Sequence, residues 1–278
     1  MSQGRRGGGS GGRAKGSRSG GAADTATGPR RRRVLVALPQ RGFDPTEAAV
    51  PVRCLLDAGV DVEFCTPAGG EAACDPIMIT GRGLYLLKWS MRADAHGRHA
   101  YKQLEAGGAL AATKTYADAF GAGTGAYDGL LLPGGHCPDM RPYLEDAALR
   151  AFAAAFVASG KPVAAVCHGV VVLARAGVLR GRRVTALPSW METTAHTLTR
   201  AWMGDYYKTY PGTSVEAEVT EALGPDGAFA PGPLGFARDA PGALAAGFVV
   251  EDGNLLTARW PGDTHALGAA FVAKLSRA

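Results

Sequence analysis

Short apolar runs recur along the chain and alternate with stretches whose apolar residues follow a helical period. Apolar runs of about four to eight residues are typical of strands buried inside a parallel sheet. Such strands are predicted at 34–38, 60–64, 127–132, 162–166 and 183–186. Helices are predicted at 44–58, 144–159 and 168–177, and after Thr264. This alternation predicts an α/β fold with a mostly parallel central sheet sandwiched by helices.

Local signals refine two parts of this pattern. Asp44 followed by Pro45 is typical of a helix start, whereas Pro51 inside the same helix predicts a kink or an irregular turn. Near the end of the chain, the segments 248–251 and 255–258 predict a hairpin. The C-terminal edge of the sheet is therefore expected to be antiparallel.

Composition divides the chain at about residue 33. Residues 1–33 contain nine Lys or Arg, one Asp and ten Gly, a composition that buries too little apolar surface to fold. A disordered basic tail is predicted at 1–33, followed by the α/β domain at 34–278 with a variable insertion at 66–125. The net charge of +5 comes from the tail, because residues 34–278 carry 21 basic and 24 acidic residues. Contact with nucleic acid is therefore not expected, and the basic tail is the one segment for which it stays open.

The five cysteines form no C-x-x-C pair and no zinc-finger spacing. No segment has the apolar length of a signal peptide core or a membrane helix, so a cytoplasmic protein with reduced thiols is predicted. His96 and His99 are spaced to meet on one helical turn, but no third ligand can be named, so no metal site is predicted. No nucleotide-binding glycine motif occurs either, and no cofactor is expected.

Cys167 lies where a predicted strand runs directly into an apolar helix, in Ala165-Val-Cys-His-Gly-Val170. This order is that of a nucleophile elbow, with Cys in place of Ser. The helix N-terminus is expected to favour the thiolate and so to lower the pKa of Cys167. A buried structural thiol is the alternative. The Cys-His-Gly turn favours a catalytic cysteine.

A second glycine-containing turn follows another predicted strand, in Leu131-Leu-Pro-Gly-Gly-His136. Parallel strands end at the same sheet edge, so Gly134 and Gly135 are expected near the cysteine. Without a Cβ in the way, their N–H groups are candidates for an oxyanion hole. His136 is a candidate for contact with the substrate or for the rim of the site. An ordinary strand-to-loop turn is the alternative.

Together these segments resemble the ThiJ/PfpI superfamily, within the class I glutamine amidotransferase-like fold, and most of all its chaperone/glyoxalase III branch. The resemblance rests on 42–51, 127–136, 163–169 and 254–262. It covers the chain from about Val34 onwards, apart from the insertion, and implies a flavodoxin-like α/β sandwich. Glutaminases of this fold use a downstream His-x-Glu pair. Here neither His196 nor His265 is followed by x-Glu, so glutamine hydrolysis is not expected.

The resemblance also implies roles for individual residues. Glu47 matches an acidic residue that contacts the nucleophilic sulfur, and a carboxyl buried there would stay protonated. His168 matches the histidine that follows the cysteine. Glu192 lies four residues after Pro188 and matches a carboxylate that orients this histidine. Cys167, His168 and Glu192 would then act as nucleophile, base and orienting group.

The first functional hypothesis is a cysteine-dependent enzyme without a cofactor that acts on small reactive carbonyls. Such an enzyme would resemble a glyoxalase III or a deglycase and would convert methylglyoxal to lactate. One alternative is a cysteine peptidase or amidase of the PfpI type. Another is a non-enzymatic holding chaperone or redox sensor, for which an oxidation-sensitive thiol would serve. A homodimer is expected, and no membrane partner.

Overall fold

In the computed structural model, which describes residues 30–278, seven strands form one central sheet. The strands of the described residues are β1 (Arg33–Ala37), β2 (Arg41–Phe43), β3 (Asp61–Thr66), β4 (Ala73–Cys74), β5 (Lys114–Thr115), β6 (Gly129–Leu132), β7 (Val163–Val166), β8 (Arg183–Val184), β9 (Ala228–Phe229), β10 (Val249–Asp252) and β11 (Leu255–Ala258). The order across the central sheet is β10-β11-β7-β6-β1-β3-β5. Its pairs are parallel except β10 with β11, which form the predicted hairpin.

Helices flank this sheet in two groups. They are α1 (Pro45–Asp57), α2 (Pro76–Thr80), α3 (Lys88–Met91), α4 (Ala95–Ala106), α5 (Tyr116–Gly121), α6 (Arg141–Glu145), α7 (Ala147–Ala158), α8 (Gly169–Arg175), α9 (Ser189–Met203), α10 (Val215–Leu223) and α11 (Thr264–Arg277). α1 packs against α4 and α11, whereas α8 packs against α7 and α10. The mostly parallel α/β fold predicted from the sequence is confirmed. No helix in the described part of the chain is long and apolar enough to span a bilayer.

Two predicted elements differ in detail. The helix predicted at 144–159 is divided, because Asp146 adopts an extended backbone (φ −66°, ψ 118°) and its Oδ1 accepts a hydrogen bond from Leu149 N–H at 2.7 Å. Asp146 therefore ends α6 and caps α7. The strand predicted at 183–186 is shorter and lies outside the central sheet, where it pairs with β9.

The predicted insertion also contributes to the sheet itself. Within 66–125, β5 pairs in parallel with β3 and forms the edge of the central sheet. A hydrogen bond of 2.9 Å between the hydroxyls of Thr66 and Thr113 holds this edge. Of the predicted tail, residues 1–29 lie outside the described residues, and Arg31 already forms an ion pair with Asp61 at 3.2 Å.

Candidate active site

Cys167 follows β7 in a strained backbone conformation. Its φ is +56°, a value that L-residues other than Gly, Asn and Asp seldom adopt. Its N–H donates to the carbonyl of Ala258 in β11 at 3.1 Å, which holds the bend. Two residues later, a Cβ on Gly169 would lie 2.1 Å from the carbonyl oxygen of Leu132, so only glycine fits. The geometry is that of the predicted nucleophile elbow.

Glu47 reaches Cys167 from the first turn of α1. The side chain of Asp44 caps this helix by accepting from the N–H groups of Thr46 at 2.8 Å and Glu47 at 3.1 Å. Glu47 is buried, its Oε2 accepts from Gly134 N–H at 2.9 Å, and its carboxyl lies beside the Cys167 thiol, near enough for each group to shift the pKa of the other. A Cβ at Gly134 would lie 2.9 Å from that same oxygen. The contact between Glu47 and the thiol agrees with the expectation from the sequence.

Two N–H groups near the thiol are not free to form the expected oxyanion hole. Gly134 donates to Glu47, and Cys167 donates to Ala258, so both N–H groups already have acceptors. Gly134 therefore anchors Glu47 instead of serving as the expected oxyanion donor. Gly135 has a φ of +154°, and a Cβ there would lie 2.7 Å from the carbonyl oxygen of Gly42. Its part in binding an oxyanion stays a prediction.

Burial sets the protonation states of the three reactive groups. It raises the pKa of Glu47 well above its usual range, and the nearby Asp44 carboxyl adds to this effect. It also raises the pKa of the Cys167 thiol, whereas the sequence led us to expect a lowered value. For His168, burial lowers the pKa to about 3. At neutral pH the site therefore holds a protonated carboxyl, a thiol and a neutral imidazole.

The His168 ring is held by Thr209 on one side and faces the thiol on the other. Its Nδ1 lies 3.4 Å from Cys167 Sγ, and its Nε2 lies 3.0 Å from Thr209 Oγ1. The Thr209 hydroxyl donates its only proton to the carbonyl of His136 at 2.7 Å. It must therefore accept from Nε2–H, and this assigns the unprotonated nitrogen to Nδ1. A lone pair of His168 thus faces the thiol.

Glu192 does not fill the orienting role that the sequence predicted. Its carboxylate accepts from Val215 N–H at 3.2 Å, at the start of α10, and burial raises its pKa to about 6. The Nε2–H group of His168 donates to Thr209 Oγ1 instead. Sequence reasoning missed Thr209, because residues 204–214 carry no periodic pattern and no motif that marks one hydroxyl among several.

Cys167 opens into a small cavity of about 120 Å³, well below the ~300–1,000 Å³ of pockets for drug-sized ligands. Apolar side chains line much of it, among them Met78, Met91, Leu187, Met191 and Phe236. Its polar lining comprises Asp44, Glu47, Ser90, His136, Glu192, Tyr207, Arg238 and Trp260. Of the expected substrate-binding residues, His136 therefore does line the cavity, stacked on Tyr207 with 4.3 Å between ring centroids.

The histidine pair considered from the sequence does not form a metal centre. The ring of His96 packs edge-on against His265, with 5.8 Å between centroids. Within residues 30–278, no group of three or more His, Cys, Asp or Glu is arranged to hold a metal ion.

Comparison with known proteins places this site in a family. The profile described as ThiJ/PfpI family-like matches residues 38–231, well over half of the chain. Protein/nucleic acid deglycase 2 of Escherichia coli is 53% identical over 62 residues, which are 22% of this chain and 34% of that protein. Deglycase TK1284 of Thermococcus kodakarensis is 30% identical over 146 residues, which are 52% and 61% of the two chains. The chain thus spans less than two thirds of these curated relatives.

A solved structure extends the similarity of fold over nearly the whole domain. Glyoxalase III from Candida albicans superposes with a TM-score of 0.59 at 17% identity, covering 87% of this chain and 97% of that one. The family profile covers most of the chain, and the similarity of fold extends beyond the residues that it matches. The chain belongs to the ThiJ/PfpI superfamily.

Proposed function

We propose that this chain is a cysteine-dependent enzyme without a cofactor that converts small 2-oxoaldehydes, such as methylglyoxal, to 2-hydroxy acids. The observation that carries the proposal is the placement of one thiol between the lone pair of His168 Nδ1 and the protonated carboxyl of Glu47. The small cavity favours a substrate of a few carbon atoms. The names of the relatives, deglycase and glyoxalase III, support the same class of chemistry.

The geometry suggests how each proton moves. The thiol of Cys167 adds to the aldehyde carbon, while its proton passes through His168 Nδ1 to the carbonyl oxygen and gives a hemithioacetal. The hydrogen on the former aldehyde carbon then moves to the neighbouring ketone carbon through an enediol. The product is a thioester of the 2-hydroxy acid, with no net oxidation. Water breaks the C–S bond, releases the acid and restores the thiol.

Addition to an aldehyde suits this site better than hydrolysis of an amide. Acyl transfer from an amide depends on N–H donors that stabilise a tetrahedral oxyanion. At this elbow, the N–H groups of Cys167 and Gly134 are already bound by Ala258 and Glu47. A hemithioacetal oxygen takes up a proton instead of remaining an anion, so its formation needs fewer such donors. The later hydrolysis acts on a thioester, which is more reactive than an amide because a thiolate leaves more readily than an amine. We therefore propose carbonyl chemistry. Hydrolysis of an amide or peptide by the purified chain, without formation of lactate, would favour a peptidase instead.

The test is turnover of methylglyoxal by the purified chain without glutathione, nucleotide or added metal. Lactate should form, and Cys167→Ser should lower kcat/KM on the order of 10³-fold or more, because a hydroxyl is a weak nucleophile at neutral pH. The matched control is Cys137→Ser, a buried thiol whose Sγ contacts the carbonyl of Gly42 and lies outside the cavity lining. Absence of lactate from the wild type, or full activity of Cys167→Ser, would contradict the proposal.

A further inference from the structure

The cavity contains polar atoms that the proposed chemistry at Cys167 does not use. Tyr207 Oη, Trp260 Nε1, His136 Nε2 and Arg238 Nη1 are buried without a hydrogen-bond partner among residues 30–278. Tyr207 and Trp260 are only 6% and 7% exposed. Buried polar atoms normally have partners, because leaving them unpaired is costly. The indole and guanidinium groups can only donate, so a ligand that pairs with them needs acceptor atoms such as carboxylate oxygens.

Arg238 is held in place by its surroundings. Its guanidinium stacks over the Trp260 ring at 4.5 Å, and a Cβ at Gly262 would lie 3.0 Å from its Cγ. The neighbouring Asp239 is fixed by two backbone hydrogen bonds, with its N–H donating to Gly262 at 2.8 Å and its Oδ2 accepting from Ala266 at 2.6 Å. A guanidinium held in this way is suited to recognise a carboxylate, whose two oxygens match its fork of N–H donors.

The acidic groups that line the cavity have other partners than Arg238 among the described residues. The Glu47 carboxyl, whose pKa burial raises, accepts from Gly134 N–H, and Glu192 accepts from Val215 N–H. Asp44 lies near enough to Arg238 to feel its charge, but its Oδ1 accepts from the backbone at the start of α1. Arg238 forms no ion pair within 4.0 Å in the described part of the chain.

We infer that Arg238, with Tyr207 and Trp260 beside it, is a carboxylate subsite, and that the preferred substrate is a 2-oxoaldehyde bearing a carboxylate. This inference rests on the proposed function for its reaction and adds the class of substrate. The aldehyde carbon would meet Cys167, while the carboxylate would lie at Arg238 on the wall of the same cavity. The reaction adds one water and yields a hydroxy dicarboxylic acid. The carboxylate at Arg238 remains unchanged.

The first experiment compares kcat/KM for 4,5-dioxopentanoate, its methyl ester and methylglyoxal. The wild type should prefer the carboxylate to the ester, and Arg238→Gln should reduce that preference about 10- to 100-fold, as expected for one charge-assisted hydrogen-bonded contact. Arg238→Lys should retain part of the preference. Arg53→Gln, on the exposed side of α1, is the matched control and should retain all of it. An unchanged preference in Arg238→Gln would overturn the subsite and leave the proposed reaction intact.

A second experiment needs no turnover and so separates the two proposals. Iodoacetate and iodoacetamide alkylate the same thiol but differ in charge, and mass spectrometry of the Cys167 peptide gives both rates. The half-buried Cys54 is replaced by Ser to remove a competing thiol. Arg238→Gln should lower the ratio of the iodoacetate rate to the iodoacetamide rate about tenfold or more, and Arg53→Gln should not. Equal ratios in the wild type and Arg238→Gln would refute the subsite, even if methylglyoxal is not a substrate.

Discussion

The two walls of the cavity are built in different ways. The elbow wall, formed by Glu47 and Cys167 with their partners Gly134 and His168, comes from the ends of strands and the start of α1. Backbone hydrogen bonds and glycine contacts shorter than 3 Å fix its atoms. The far wall, formed by Glu192, Tyr207 and Arg238, comes from loops and from α9, and the loop of Tyr207 also carries Thr209. The backbone thus positions Cys167 and Glu47, whereas side chains make the contacts proposed for the far wall and for Thr209.

The largest effect is expected where the elbow wall is tightest. Gly169→Ala would place a Cβ 2.1 Å from the Leu132 carbonyl, so the free energy of unfolding should fall by about 3 kcal/mol or more. Gly121→Ala is the control, because a Cβ there meets nothing within 4 Å. Urea unfolding of both variants measures the difference. Equal stability of the two variants would show that the backbone around Leu132 can shift to accommodate a Cβ at Gly169, and would contradict this prediction.

The cap of α1 should make stability depend on pH. Burial raises the pKa of Asp44 from 3.8 to about 6 in the folded state. The folded chain therefore holds a proton that the unfolded chain has lost between those values, and this group's contribution to stability falls as pH rises. From pH 4 to 7 the loss should be on the order of 2–3 kcal/mol. Asp44→Asn keeps the cap and should remove this slope in urea unfolding. Parallel pH profiles for the two proteins would refute the assignment.

Glu47→Gln tests whether the elbow wall supplies a proton to the sulfur. Gln keeps the volume and an oxygen for Gly134 N–H but removes the acidic proton. We expect kcat to fall about 10²-fold, in the range usual for loss of a proton-transferring group, with little change in melting temperature. Steady-state kinetics and the alkylation rate of Cys167 measure this effect. Unchanged values for both would limit Glu47 to a structural role.

Thr209→Val removes the contact by which the far wall acts on the elbow wall. Without a hydroxyl to accept from Nε2–H, His168 should lose its fixed tautomer, and kcat should fall about tenfold, the equivalent of one hydrogen bond. Thr209→Ser should restore activity. The ¹⁵N chemical shifts of the His168 ring report the tautomer directly. An unchanged tautomer in Thr209→Val would contradict this orienting role.

The smallest effect is expected for Glu192→Gln. The amide oxygen of Gln can still accept from Val215 N–H, and Thr209 holds His168 without it. The change in kcat/KM should therefore be no more than about threefold, the size of most substitutions that keep a hydrogen bond. A loss as large as that of Thr209→Val would return the orienting role to Glu192.

The difference between the elbow wall and the far wall also explains which residues of the candidate site could be predicted from the sequence. Cys167 and Gly134 lie directly after apolar strands, so local pattern alone brings them to one edge of the sheet. Glu47 was found through its place in a family motif. Thr209 and Arg238 carry no such signal, because the role proposed for each depends on contacts with residues that are distant in the sequence.

The direction of the Cys167 pKa was wrong for a related reason. The expectation considered the helix that follows the cysteine and left out the side chains that bury the thiol. The surroundings of the thiol come from segments far apart in the chain, and Glu47 in α1 and Trp260 after β11 line the same cavity as Cys167. Local sequence therefore identifies the candidate nucleophile better than it predicts the protonation state of its sulfur.

The hydrogen bond from Cys167 N–H to Ala258 gives the site an order of assembly. During synthesis, β7 and the cysteine leave the ribosome long before β11, the strand that closes the bend. Trp260 follows β11 directly, and the buried ion pair between Arg259 and Asp263, at 2.8 Å, fixes the turn around it. A nascent chain therefore contains the nucleophile before it can build the cavity. The bend at Cys167 receives its hydrogen bond, from the cysteine's own N–H to Ala258, only after β11 has been synthesised.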